Sequence, residues 1–149
     1  MEIIKYRIDL VKESITTYDI TKDKIKSPEE VYELIKEKFR ISSLAEEMFG
    51  ILCLDTKNNI TGAFEVSRGC LDCCIVHPRE IFKRAMLVNS ASVILFHNHP
   101  SGEVEPSEED KSITTRIVDA GKILGIRILD HIIACNDSYL SFKEHGYFG

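Results

Sequence analysis

The sequence predicts an α/β (α+β) domain: a mixed β-sheet with helices on its faces. Three observations carry this. Apolar residues recur at helical spacing in three segments, each opened by a Ser or Pro start signal. Between them lie short runs of strand length that are almost wholly apolar or strictly alternating. Helical and strand segments interleave along the chain, as layered folds require.

Taken in order, Ile4, Tyr6, Ile8 and Leu10 alternate with polar residues and predict an N-terminal strand. Residues 13–26 are polar and irregular. Ser27 can cap a helix, Pro28 suits its first position, and Glu30 completes a capping box. The helix then buries Val31, Leu34, Ile35 and Phe39. Residues 42–47 predict a short helical turn. Met48 to Asp55 is nearly all apolar, the pattern of a strand covered on both faces. Lys57-Asn58-Asn59 marks a hairpin, and Ile60 to Ser67 returns with Ile60, Gly62, Phe64 and Val66 on one face.

Gly69 breaks that pattern. Pro78 opens a second helix carrying Ile81, Phe82, Ala85 and Met86 and ending near Asn89. Ser92 to Phe96 is a buried strand running into His97, and HNHPSGEVEP is loop. Ser107 caps a long helix with Ile113, Ile117, Ala120 and Leu124 as its stripe. Gly121 falls inside it, and Gly125 ends it. A strand from Ile126 to Cys135, a turn at Asn136-Asp137 and a last strand at Tyr139 to Phe142 complete the chain. The division expected is an extension over residues 1–26 and a domain over 27–149.

A chain of 149 residues can bury a core without staples. No segment reaches the roughly 20 apolar residues that cross a bilayer, so no membrane association is expected. The N-terminus lacks the apolar run of a secretory signal, from which a cytoplasmic location is expected. A net charge of −5 argues against wrapping nucleic acid, which needs a field of Lys and Arg. Lys22, Lys24 and Lys26 alternate, as on a solvated edge or loop. An N-terminal strand could pair with a second copy's edge, which makes a homo-oligomer compatible with the sequence.

Five cysteines, an odd number, do not suggest a disulfide framework. Cys53 and Cys135 sit in apolar strand patterns and read as small buried hydrophobes. Cys70-x-x-Cys73-Cys74-x-x-His77 has the spacing of half a zinc site. A second cysteine pair is missing, so a tight loop of small residues is the plainer reading. His145 reads as ordinary.

The chemistry concentrates further on. His97 and His99 are two apart at the end of a buried strand, where alternation puts both rings on one side. Asp110 returns in the first turn of the next helix. Two imidazoles and a carboxylate are the ligands of a catalytic zinc, one per chain, with a position left for water. Asp110 could also be a capping-box acid and nothing more, and Ser107 is a natural cap.

His97-Asn98-His99-Pro100, six residues, then Ser107-x-x-Asp110 resembles the His-x-His-Pro-x6-Ser-x-x-Asp (JAMM) motif of JAB/MPN metalloprotease domains. Their RadC-like branch fits best. The branch features are Leu54 to Asn58 before the hairpin, Arg68-Gly69 after it, His77 to Glu80 opening a helix, and Leu129 to His131 near the end. The likeness covers residues 27 to 148. It implies a cytidine-deaminase-like architecture and zinc held by His97, His99 and Asp110. It also implies a Glu acting on the bound water, which maps onto Glu47, with Glu65 and Glu46 as alternatives. Ser107 would stabilise the tetrahedral intermediate, and Asp130-His131 could support a ligand His from behind.

The activity so implied is zinc-dependent hydrolysis of an amide or isopeptide bond in a protein or peptide substrate. The other function the resemblance implies is a DNA-repair-associated accessory or DNA-binding module without peptidase activity. Many RadC-like proteins carry a helix-hairpin-helix region ahead of this domain. Residues 1–26 are too short for it and lack paired hairpin glycines, so DNA binding is not expected from them.

Overall fold

The computed structural model describes residues 2–7, 9–13, 24–69 and 76–148. Helix α1 (Pro28–Phe39) leads through a 3-10 turn at Ile41–Ser43 into strand β1 (Glu47–Leu54), which turns back as β2 (Ile60–Gly69). Helix α2 (Pro78–Leu87), strand β3 (Ser92–Asn98), helix α3 (Glu108–Leu124), and strands β4 (Arg127–Ala134) and β5 (Tyr139–Ser141) follow. The sheet order is β2-β1-β3-β4-β5. Only β3 and β4 run parallel, because α3 crosses between them; the other pairs are antiparallel. The sheet is mixed, and helices cover it.

Side-chain alternation sorts the core into two layers. On one face Met48, Leu52 and Leu54 of β1 and Ile94 and Phe96 of β3 pack under Val31, Leu34 and Ile35 of α1. On the other face Phe49, Ile51 and Cys53 of β1 and Val93 and Leu95 of β3 pack under Ile81, Phe82 and Ala85 of α2 and Ile117 of α3. Residues two apart share a face, so Glu47 and His97 belong to the layer that α3 covers.

The helix ends follow from local chemistry. Ser27 Oγ accepts the N–H of Glu30 at 3.2 Å. The Glu30 carboxylate accepts the N–H of Lys26 at 2.8 Å, one residue earlier than a reciprocal box predicts. Gly125 closes α3 at φ 73°, a conformation glycine takes without steric cost. Gly121 has a reason beyond propensity: a Cβ there would lie 2.4 Å from the carbonyl oxygen of Ile126. The loop after α3 folds back onto the helix, and only a bare Cα fits beneath it.

Three expectations are corrected. The described residues of the N-terminal segment form no strand, and Ile3, Ile4, Tyr6, Leu10 and Val11 stand exposed. A period of two predicts an extended backbone, not the partner that pairs with it, and the sheet ends at β2 and β5. Met86 and Leu124, assigned to buried stripes, are about half exposed, each on the last turn of its helix. Thr114, which the stripe of α3 omits, is buried instead. Cys53 and Cys135 are buried and free. Cys70, Cys73 and Cys74 lie outside the described residues, as does Lys22; Lys24 and Lys26 are exposed.

Candidate metal centre

β3 is the central strand, buried along its whole length, and its C-terminal end carries His97 at only 1% exposure. The chain leaves the strand at Asn98, and His99 swings its ring back over His97. Their Nε2 atoms lie 2.9 Å apart. Nδ1 of His99 is 2.7 Å from the carbonyl oxygen of Glu103, which can only accept, so that nitrogen carries the hydrogen.

Asp110 reaches the pair from the first turn of α3. Its Oδ1 is 3.3 Å from His97 Nε2, and its Oδ2 is 3.3 Å from His99 Nε2. The same Oδ2 accepts the N–H of Ser107 at 2.7 Å, while Ser107 Oγ accepts the N–H of Asp110 at 3.0 Å. The capping box and the histidine contacts are therefore one arrangement. The cap sets the rotamer that aims the carboxylate. Ser107 serves the cap with a lone pair, so its O–H hydrogen is not spent there.

Glu47 opens β1 on the same face of the sheet. Its carboxylate and the ligand atoms of His97, His99 and Asp110 lie within 4.8 Å of one another. Of the three glutamates raised by the sequence, this is the one in the group. Glu65 is on the exposed side of β2, bound to Arg68 at 2.6 Å, and Glu46 is exposed. Asn98 fastens the start of β1, with Oδ1 accepting the N–H of Met48 at 2.7 Å and Nδ2 donating to the carbonyl of Glu46 at 3.0 Å.

The electrostatics favour positive charge at this point. Burial pushes the Asp110 carboxyl up, but the hydrogen bonds and charge of His97 and His99 outweigh it and hold it well below the usual carboxylate range. Burial pushes His99 down, yet Asp110, the Glu103 carbonyl and Glu47 leave it above its ordinary value. Burial and the neighbouring His97 hold His131 well below its own. A proton is one such charge, and a metal ion is another. Tetrahedral ligands about 2.0–2.1 Å from zinc stand about 3.3 Å apart. The Nε2 atoms of His97 and His99 stand 2.9 Å apart, and each is 3.3 Å from its own oxygen of the Asp110 carboxylate, separations near that value. Glu47, His97, His99 and Asp110 could hold a metal ion.

The pair Asp130-His131 divides. His131 is fully buried, with Nε2 2.7 Å from His97 Nδ1. Asp130 points elsewhere. It accepts from Ser141 Oγ and from the backbone N–H groups of His131 and Lys143, tying β4 to β5. Burial raises its carboxyl above the ordinary value against those bonds. Sequence reasoning missed Thr114, whose hydroxyl sits 2.6 Å from His131 Nδ1. A threonine inside a helix gives no signal of such a contact. His77 caps α2 without a side-chain hydrogen bond, and the ring of His145 bonds the Ser141 carbonyl. Among the described residues, no helix is long and apolar enough to cross a membrane.

Comparison with known proteins agrees with the geometry. The RadC-like JAB domain family matches residues 25–147. A UPF0758 protein of Methanococcoides burtonii is 50% identical over 129 residues, covering 87% of this chain and 56% of its own length. One from Methanosarcina barkeri is 47% identical over 93% of this chain and 60% of its own length. One from Desulfitobacterium hafniense is 41% identical over 96% and 62%. Their names state no activity, and the chain spans less than two thirds of each. The match over residues 25–147 and these relatives show that the chain belongs to the RadC-like JAB domain family.

Proposed function

We propose that this domain is a zinc-dependent hydrolase that cleaves an amide or isopeptide bond in a protein or peptide. The observation that carries the proposal is the convergence of Glu47 with His97, His99 and Asp110 within 4.8 Å. His97, His99 and Asp110 would hold the metal, and two imidazoles with one carboxylate suit zinc better than calcium or magnesium. Zinc bound there supplies a Lewis acid that polarises a carbonyl and makes water nucleophilic near pH 7.

The remaining roles fall to the chain. Glu47 takes the proton of the attacking water on its carboxylate and hands it to the departing amine. Ser107 donates its unspent O–H to the carbonyl oxygen as negative charge develops there. Family membership supports the reading, which is made for this domain and not for the longer relatives.

Elemental analysis of the purified protein beside a His97→Ala/His99→Ala double variant tests it. One zinc per chain is expected, lost in the variant. Zinc that survived the double substitution would instead belong to Cys70, Cys73 and Cys74. A protein that took up no zinc on reconstitution would sink the hydrolase reading.

A further inference from the structure

A chain of hydrogen bonds runs from the candidate metal centre into the core. His97 Nδ1 faces His131 Nε2 at 2.7 Å, and His131 Nδ1 faces Thr114 Oγ1 at 2.6 Å. Thr114 Oγ1 donates to the carbonyl oxygen of Asp110, four residues back on α3. The donors along this chain can be assigned one by one.

A carbonyl oxygen only accepts, so the single hydrogen of the Thr114 hydroxyl is spent on Asp110. Toward His131 the hydroxyl can therefore only accept, and His131 must carry its hydrogen on Nδ1. His131 is 0% exposed, between the rings of Phe49 and Phe142. Its ring nitrogens meet a histidine and a threonine, not a carboxylate. An imidazolium in that place would be an uncompensated buried charge. The neutral ring has its lone pair on Nε2, and His97 donates its Nδ1–H to it. The neutral His97 ring then has its lone pair on Nε2, the nitrogen that faces His99 and Asp110.

We propose that His131 and Thr114 are positioning residues that hold His97 in its Nδ1–H tautomer, with the Nε2 lone pair aimed at a metal ion. The two act through His97 and touch no substrate. Because Thr114 bonds the carbonyl of Asp110, the same relay ties the helical ligand to the strand ligand. The purpose of the tautomer rests on the metal reading above; the tautomer itself does not.

The test uses the full chain with 15N-labelled histidine, metal-free, and reads the tautomer of His97 by long-range 15N–1H NMR. Zinc affinity is measured in parallel by competition with a chelator. Thr114→Val, which keeps the shape and removes the hydroxyl, is compared with Thr114→Ser, which restores it; His131→Phe removes the acceptor outright. The parent is expected to show Nδ1–H at His97. Thr114→Val should add the Nε2–H form and weaken zinc binding roughly 10- to 100-fold, with Thr114→Ser close to the parent. An Nε2–H tautomer in the parent, or a Thr114→Val variant unchanged in both tautomer and affinity, would overturn the proposal. A parent that holds the tautomer yet binds no zinc would sink the hydrolase reading and its purpose for the tautomer while supporting the tautomer itself, so the two failures are told apart.

Discussion

The side chain of Asn98 takes the place of a strand at the start of β1: its Oδ1 accepts the N–H of Met48 at 2.7 Å. Its Nδ2 also donates to the carbonyl of Glu46, so the backbone on either side of Glu47 is held from β3. Asn98 is 2% exposed, and water cannot take over these bonds. Asn98→Ala should therefore lower stability by about 1–3 kcal/mol, the cost of leaving a buried polar group unpaired. Asn98→Asp should be no better, because it turns an acceptor toward the Glu46 carbonyl. Urea unfolding decides it: two variants as stable as the parent would mean the clamp carries no energy.

Glu47→Gln separates metal binding from proton transfer. The amide keeps the shape of the carboxylate but cannot accept a proton at neutral pH. Zinc content and the unfolding midpoint should match the parent, while turnover of an amide substrate falls roughly 10²- to 10⁴-fold. Parent-level turnover in the variant would remove Glu47 from the role of base.

Gly121→Ala sets helix propensity against packing. In an open helix the change gains up to about 1 kcal/mol. Here the new Cβ meets the Ile126 carbonyl at 2.4 Å, and that backbone cannot yield cheaply because the N–H of Ile126 bonds the carbonyl of Gly121 at 3.0 Å. Overpacking of this kind costs about 1–3 kcal/mol, so the clash should win. A raised melting temperature would show that the loop has room.

Asp55 should make the β1–β2 hairpin sensitive to acid. The Asn59 side-chain amide, then the N–H groups of Asn59 and Lys57, bind its carboxylate at 2.8–2.9 Å and hold the carboxyl below its ordinary value. A depressed folded value means the folded state favours the ionised form. That stabilisation is complete above the unfolded value of about 3.9 and is lost as pH falls through the folded one. Asp55→Asn abolishes the linkage. The stability difference between parent and variant should thus be constant near neutrality and shrink below about pH 4. A difference that stayed flat to pH 2 would show that the turn does not read the charge.

Much of this domain is legible locally. The helix starts at Ser27, Pro78 and Ser107, the stop at Gly125 and the hairpin at Asn58 are decisions made by a few neighbouring residues, and each stands where the sequence placed it. Period-two alternation likewise put the rings of His97 and His99 on one side of the chain, whereas Glu47 came from the family resemblance alone. The nearness of His97, His99 and Asp110 needed only a strand, a loop and the first turn of a helix.

What tertiary structure decided depended on residues far apart in the chain. Glu47 stands beside His97 because β1 and β3 pair with Phe49 opposite His97, a register that no local pattern contains. Glu65 is turned to solvent by the same pairing rules on β2. His131 meets His97 because β4 pairs with β3, and Thr114 meets His131 because α3 crosses over the sheet and lays its buried side on β4. Among the described residues, Ile4, Tyr6 and Leu10 of the N-terminal alternation join no strand, for the converse reason; Ile8 lies outside them. Side-chain pattern sets the shape a segment prefers, and hydrogen-bond partners from elsewhere determine whether it becomes a strand.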